Sequence, residues 1–461
     1  MNYTINKRKT RNLVRFLTVF LMVLLLILLA RYFYFLYFPK DNTQYSRNNS
    51  DKDQTFYIAS DVHYLSEKLT DHGIAFEKYI SSGDGKQLNY IDSILKAFIT
   101  DIKKTKPDFL IISGDLTNNG EKESHLDLSR NLKTIEKNGT SVFVIPGNHD
   151  INNPWARQFK GEKQYLADCI FDKDFSKIYA DFGYDEAISR DEESLSYLAA
   201  PTDKLWLLML DTNKYKDNLS VGIPSADGLI KQGTYDWILK CLESAKKHGS
   251  EVIAVMHHNI LDHSEVIRDG YTLNNHGQIS ILFKEYQVQL VLSGHIHVQD
   301  ISSDHKAINP LYDIASGALS VYPFHYGILK YYVKSNSLKY FTKTVDVENW
   351  AKNNHIKDKN LLNFNRFSKE YFGNASSAKI SKSLQESGYT NNQIKRMLDI
   401  LKTLNIRYFS GTENLNEKDL LHSEGYRLLT ELPDSFLKSY VTSIISDKDI
   451  YDNELTVDFN D

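Results

Sequence analysis

Cysteine is nearly missing from this chain. Only Cys169 and Cys241 occur in 461 residues, far apart and outside any Cys-x-x-Cys pair. That excludes a thiolate zinc site and a disulfide-framed fold, and leaves two separate buried thiols as the expectation. Proline (9) and glycine (22) are too sparse for a collagen-like or low-complexity chain. An excess of positive charge is also lacking: 55 Lys and Arg stand against 59 Asp and Glu, a net charge of −4. Seven of the basic residues (Lys7, Arg8, Lys9, Arg11, Arg15, Arg31 and Lys40) precede the first acid, which leaves 48 basic against 59 acidic residues in the body. An acidic body excludes general binding to a nucleic-acid polymer. It tolerates a small phosphorylated substrate wherever bound metal dominates the local field. What is present, 41% hydrophobic and 25% charged residues, suits a folded core. The length allows a large domain plus an appendage.

One long apolar run stands out. From Phe16 to Ala30 the sequence FLTVFLMVLLLILLA has no charge, and YFYFLYF follows Arg31. Residues 16–38 together are long enough to cross a hydrocarbon core of about 30 Å. No small-x-small cleavage site follows, so the segment reads as a permanent transmembrane anchor rather than a signal peptide. The basic residues of 1–15 are expected to stay in the cytoplasm. The chain is therefore expected to be a single-pass cell-membrane protein, in contact with the membrane through this helix, with its catalytic domain extracellular. Residues 39–53, PKDNTQYSRNNSDKD, read as a polar linker.

Beyond the linker, short apolar runs alternate with amphipathic ones. TFYIAS (55–60), DFLIIS (108–113), SVFVIP (141–146), KLWLLML (204–210), EVIAVM (251–256) and VQLVLS (288–293) are strand candidates. Between them, 90–104 carries Ile91, Ile94, Leu95, Phe98, Ile99 and Ile102 at helical spacing, and 124–139, 235–248 and 278–286 read as further helices. Continuous apolar strands separated by helices predict an α/β fold with sheets covered on both faces. Residues 54–347 form this domain. Residues 348–461, rich in Asn, Lys and Asp, are expected to form a small, mostly α-helical C-terminal domain whose chemistry is unreadable.

The chemistry collects where the strands stop. The first strand ends in Asp61-Val62-His63, the second in Gly114-Asp115, and the third in Gly147-Asn148-His149-Asp150. EVIAVM ends in His257-His258, and VQLVLS in Gly294-His295-Ile296-His297. Sites in α/β sheets form at the carboxyl ends of strands. Aspartate, histidine and one asparagine form an oxygen and nitrogen donor set that suits Mn, Fe or Zn rather than Ca. Asp61 and His63 share a side if the strand geometry persists, as do His295 and His297. Glycines 114, 147 and 294 allow close backbone approach. Asp115 can bridge two ions, and two ions about 3.5–4 Å apart would clamp a phosphate for in-line displacement. Each fragment alone is weak; the five in order carry the argument.

In that order the fragments D-x-H, G-D, G-N-H-D, H and G-H-x-H resemble the calcineurin-like metallophosphoesterases, over about residues 55–345. SDVHYLS, ISGDLTNNGEKESH and VIPGNHDINNPWAR narrow the resemblance to bacterial cyclic-nucleotide phosphodiesterase-like proteins with a helical C-terminal domain. The resemblance implies a four-layer α/β/β/α sandwich. It also implies two divalent or trivalent metal ions (Mn or Fe, with Zn an alternative). One would be held by Asp61, His63, Asp115 and His297, the other by Asp115, Asn148, His257 and His295. His149 would sit over the phosphate as a catalytic residue, with Asp150 orienting or tuning it. His257 is preferred to His258 because it directly follows the strand, and Asn259 stands where the family often has proline. The implied reaction is phosphodiester hydrolysis by metal-bound hydroxide, with cyclic nucleotides among the candidate substrates. The alternatives are a phosphomonoesterase or nucleotidase on the same dinuclear centre, or a non-catalytic surface-binding protein on this fold. Ser82-Gly83-Asp84-Gly85-Lys86 lacks phosphate-loop spacing and reads as an exposed turn. His125 reads as a helix-surface residue, and His72, His263, His276 and His325 as solvated loop residues.

Overall fold

The computed structural model describes residues 52–304, 310–386, 388–413, 418–446 and 451–460. Among them, fifteen strands form two large sheets and one hairpin. In chain order the strands are β1 (Gln54–Ala59), β2 (Phe109–Ile112), β3 (Ser141–Val144), β4 (Arg157–Lys160), β5 (Lys163–Leu166), β6 (Ser189–Arg190), β7 (Tyr197–Ala199) and β8 (Leu205–Leu210). There follow β9 (Glu251–Met256), β10 (Leu290–Ser293), β11 (Asp300–Ser303), β12 (Tyr312–Ala315), β13 (His325–Tyr332), β14 (Ser337–Thr344) and β15 (Glu454–Asp458). The first sheet runs β15-β14-β13-β1-β2-β3 and the second β11-β12-β10-β9-β8-β7-β6, while β4 and β5 pair as the hairpin.

The apolar pattern explains the layering. In β8 the side chains alternate: Leu205, Leu207 and Met209 join the core shared with β1, β2 and β3, whereas Trp206, Leu208 and Leu210 pack toward the helix Gln232–His248. The two sheets therefore face each other, and β8 is buried on both sides. Helix Ile91–Thr105 buries Ile91, Ile94, Leu95, Phe98, Ile99 and Ile102, the stripe expected from its spacing. Helix Lys122–Glu136 buries Leu128, Leu132 and Ile135. Strands β1, β2 and β3 are mutually parallel, as are β8, β9, β10 and β12. Right-handed connection of parallel strands through helices brings the carboxyl ends within each group to one edge. The expected α/β/β/α sandwich is the fold observed.

The C-terminal region is helical, with Phe364–Glu386, Asn391–Phe409, Glu424–Thr430 and Phe436–Ser446 around a core that includes Met397, Leu401, Leu429 and Val441. The expected helical domain at 348–461 differs in one respect. Its last strand, β15, leaves the helices and pairs antiparallel with β14 at the edge of the first sheet. The alternation of Leu455 and Val457 is too short a signal to have announced this strand.

The expected single-pass membrane placement, with an extracellular catalytic domain, is corrected. Among the described residues, no helix is long and apolar enough to cross a membrane. The apolar run at 16–38 on which that expectation was built lies outside the described residues.

His263 also departs from expectation. It is buried, with Nδ1 against Asp300 Oδ2 and Nε2 3.1 Å from Asp313 Oδ2. Asp313 also accepts from the Ile260 and Leu261 amides at 2.7 and 3.0 Å, and the Tyr408 hydroxyl of the helical region donates to the His263 carbonyl at 2.9 Å. Burial pulls the imidazolium down, but Asp313 and Asp300 more than reverse this and raise its pKa to about 10. The unfolded value is about 6.5. The ion pair's stabilisation is therefore complete below pH about 6.5 and fades as pH rises through about 10. His263→Gln should cost about 3–5 kcal/mol at pH 6. The gap from wild type should shrink steadily in urea titrations toward pH 10; a gap independent of pH would contradict the charged pair.

Candidate metal centre

Each ligand candidate sits just beyond a strand, where the backbone leaves extended geometry. Asp61 (φ 52°), His63 (φ 45°), Asp115 (φ 47°), His295 (φ 70°) and His297 (φ 66°) all adopt left-handed conformations. Such conformations cost non-glycine residues about 1 kcal/mol or more each and cluster at functional sites. Strand geometry does not persist through Asp61 and His63: β1 ends at Ala59, and turning of the backbone, not alternation, brings the two side chains together. The turns are tied across the edge. Asp61 N–H donates to Gly114 O (3.1 Å), His63 N–H to Asp115 O (2.9 Å) and His295 N–H to Asp61 Oδ2 (3.0 Å). Close approach needs glycine at two positions. A Cβ on Gly147 would lie 2.1 Å from Asp115 N, and one on Gly294 would lie 1.8 Å from Ser60 Oγ.

Two donor sets result, and Asp115 belongs to both. Asp61, His63, Asp115 and His297 each offer an atom within 4.8 Å of the others, as do Asp115, His257 and His295. Asn148 joins the second set, its Oδ1 3.0 Å from His257 Nε2. Asp115 Oδ2 lies 3.5 Å from His63 Nε2, and its Oδ1 lies 3.4 Å from His257 Nε2. The two sheets thus contribute jointly: Asp61, His63, Asp115 and Asn148 follow strands of the first, and His257, His295 and His297 follow strands of the second.

The outer hydrogen bonds fix which ring nitrogen faces inward. His257 Nδ1–H donates to Ser113 O (2.9 Å), which turns Nε2 toward Asp115 and Asn148. His295 Nε2–H donates to Gly270 O (2.7 Å), leaving Nδ1 free to ligate. Backbone anchoring of the second nitrogen is how proteins orient metal-binding histidines. His258, by contrast, spends both nitrogens, donating from Nε2 to Ala226 O (2.9 Å) and accepting from the Thr212 hydroxyl (2.7 Å). Its environment favours the choice of His257. Asn259, at the position where the family often has proline, ties this loop to β10 through Ser293 Oγ (2.8 Å) and Gly294 O (3.1 Å).

The arrangement fits metal ions on its own physical terms. His63 Nε2 and His297 Nε2 face each other at 3.1 Å, and Asp61 Oδ1 is buried with no hydrogen-bond partner among the described residues. With His297 Nε2 also 3.3 Å from Asp61 Oδ1, these ring nitrogens and the carboxylate oxygen converge on one point and fit a cation between them. Burial raises Asp115, but the His257 and His149 charges outweigh it and hold the carboxyl well below its ordinary value. Burial lowers His257, yet Asp115 raises it to about 9, and burial together with the His257 charge lowers His295 to about 4. The donor set itself is oxygen and nitrogen, without thiolate.

His149 lies at the rim, with Nε2 3.9 Å from Asp115 Oδ2. Its Nδ1–H is held by Asn118 O at 2.8 Å and Asn119 Oδ1 at 3.1 Å, and both Asn side-chain amides donate to the Tyr79 hydroxyl at 3.0 Å. Asp150 was expected to orient His149, and it is used otherwise. Its carboxylate accepts from Gly147 N (2.8 Å), Leu116 N (3.0 Å), Thr117 N (2.9 Å) and the Thr117 hydroxyl (2.9 Å), which braces the two loops carrying Asp115 and Asn148. Burial and the Asp115 charge raise it to about 7. His125, expected on a surface, is buried behind these loops, bonded to Asp150 O (3.0 Å) and the Tyr179 hydroxyl (2.9 Å). His325 is likewise buried, within β13, and His276 opens the helix His276–Glu285. The cysteines are free thiols, Cys241 buried and Cys169 half-buried.

Residues 54–299 match the calcineurin-like phosphoesterase family, and the chain belongs to it. Residues 346–450 match the C-terminal domain of cyclic nucleotide phosphodiesterase. The chain is 26% identical over 204 residues to a probable cyclic nucleotide phosphodiesterase from Ruthia magnifica, covering 44% of this chain and 68% of that protein. It is 23% identical over 237 residues to a like-named protein from Vesicomyosocius okutanii, covering 51% and 79%. It is 30% identical over 119 residues to a probable glycerophosphodiester phosphodiesterase from Arcobacter nitrofigilis, covering 25% and 40%.

Because Asp115 joins the two donor sets, Asp115→Ala should lower bound Mn²⁺ from about two ions per chain to one or none by elemental analysis. A variant that retained both ions would show that Asp115 does not connect the sets.

Proposed function

We propose that this protein is a metal-dependent phosphodiesterase acting on small phosphodiesters, with cyclic nucleotides as the leading substrate class. The observation that carries the reading is the pair of donor sets meeting at Asp115 with His149 Nε2 beside them. Asp61, His63, Asp115 and His297 would hold one ion, and Asp115, Asn148, His257 and His295 the other. Bound there, the ions would supply a water-derived nucleophile near neutral pH and Lewis-acid polarisation of the phosphate. His149, positioned by the Asn118 carbonyl, presents Nε2 to hold or release a proton at the departing oxygen. Asp150 keeps the Asp115 and Asn148 loops in register. The names of the Ruthia and Arcobacter relatives both support a diester substrate. The intact donor sets count against a retired, purely binding role.

His149→Ala should retain wild-type metal content and lose about 10²–10⁴-fold in kcat on bis-p-nitrophenyl phosphate with Mn²⁺. A wild-type rate in that variant would remove His149 from the chemistry. Comparing this diester with p-nitrophenyl phosphate separates the two enzyme readings: faster monoester turnover would overturn the phosphodiesterase reading in favour of a phosphomonoesterase or nucleotidase.

A further inference from the structure

The Ser82–Lys86 segment, expected to be an exposed turn, is only partly so. The Asp84 side chain is 52% exposed, but that of Lys86 is 13% exposed, with Nζ 3.2 Å from Asp84 Oδ2. A lysine withdrawn this far from water is unusual, because its long stem normally carries the ammonium to solvent. Its neighbour Gln87 ties this turn to the backbone of a candidate metal ligand. Gln87 N–H donates to Ser320 O (2.8 Å), and Ser320 donates to Asp61 O through its N–H (3.3 Å) and hydroxyl (2.8 Å). On the other side the helical C-terminal region presses on the turn. The Tyr371 hydroxyl donates to Ile80 O at 3.0 Å, and the Phe372 ring packs so closely on Gly85 (φ 97°) that a Cβ there would lie 2.8 Å from it.

The ammonium and its partner act on the candidate ligands. Burial depresses His63 most, and the Lys86 charge comes next. Burial, opposed by Asp115, also lowers His149, and Lys86 adds to that lowering. Burial acts against the Lys86 charge, and Asp84, Tyr79 and Asp115 outweigh it. Asp84 in turn feels His297. In the structure itself, the turn carrying the pair is tied through Gln87 and Ser320 to the backbone of Asp61.

We propose that Lys86 is a substrate-positioning cation whose ammonium exchanges Asp84 for a non-bridging phosphate oxygen when substrate binds, and that the C-terminal helical region holds the turn in place for this contact. The proposal rests on the phosphoesterase reading above. Asp84 keeps the ammonium paired while the pocket is empty of substrate, which avoids an isolated buried charge. An incoming phosphodiester anion replaces one negative partner with another, so the exchange preserves the charge balance. Lysine suits a point-charge contact to phosphate.

The test uses the full chain loaded with Mn²⁺, with bis-p-nitrophenyl phosphate as substrate and inorganic phosphate as ligand by calorimetry. Lys86→Gln should keep metal content and the thermal midpoint, while KM and the phosphate dissociation constant rise about ten- to a hundredfold. Lys86→Arg should recover part of both. Unchanged KM and phosphate affinity in Lys86→Gln, or no recovery by arginine, would overturn the proposal. If Lys86→Gln does not fold, Asp84→Asn decides. Freed of its competitor, Lys86 should bind phosphate about two- to fivefold more tightly, and an unchanged affinity would refute the exchange. A wild-type protein that binds Mn²⁺ and phosphate but hydrolyses no phosphodiester would sink the phosphodiesterase reading instead, and the calorimetry would still decide Lys86.

Discussion

Asp115 is a fully buried carboxylate with His63, His149 and His257 within 4 Å. Around it, Asp61, Asn148, His295 and His297 add further donors from loops far apart in the chain. Left to themselves, so many buried polar atoms would cost several kcal/mol in lost hydration. Cations between the donors would reverse that cost, and such a requirement would explain the local structure. It would account for left-handed backbone at five non-glycine ligand candidates and for glycine where a Cβ would strike Asp115 or Ser60. It would also account for Asp150 spent on backbone amides rather than on chemistry.

The two sheets serve this end in a divided way. Strands of the first sheet deliver the carboxylates, the amide and one imidazole, and strands of the second deliver three imidazoles. Neither sheet alone completes a donor set, so facing the sheets across a common apolar core is what creates the centre. The helical C-terminal region is built into the same body. It reaches the phosphoesterase sheets through β15, the Tyr408 bond to the His263 carbonyl, and the contacts of Tyr371 and Phe372 on the turn that carries Lys86.

Much of this was legible in the sequence because it depends on local pattern. Apolar runs ending in DVH, GD, GNHD, HH and GHIH state both the strand and what its end presents, and the ridge of helix Ile91–Thr105 follows directly from its spacing. What stayed hidden depends on tertiary placement. The burial of His125 and His263 comes from partners many residues away, Tyr179, Asp300 and Asp313, that no local pattern announces. The role of Asp150 was misread because adjacency to His149 in sequence suggested adjacency in bonding; the tight loop turns its carboxylate to the amides instead. The Ser82–Lys86 turn is exposed at Ser82 and Asp84, as its composition suggests, but Phe372, nearly three hundred residues on, covers Gly85. The Asn118 carbonyl, which holds His149, belongs to the backbone and leaves no trace in residue type.

The most direct test of the account is anomalous X-ray scattering from crystals of the Mn²⁺-loaded protein. Two peaks about 3.5–4 Å apart, one beside His63 and His297 and the other beside His257 and His295, with Asp115 between them, are the predicted result. A single peak, or ions bound elsewhere with these side chains empty, would contradict it.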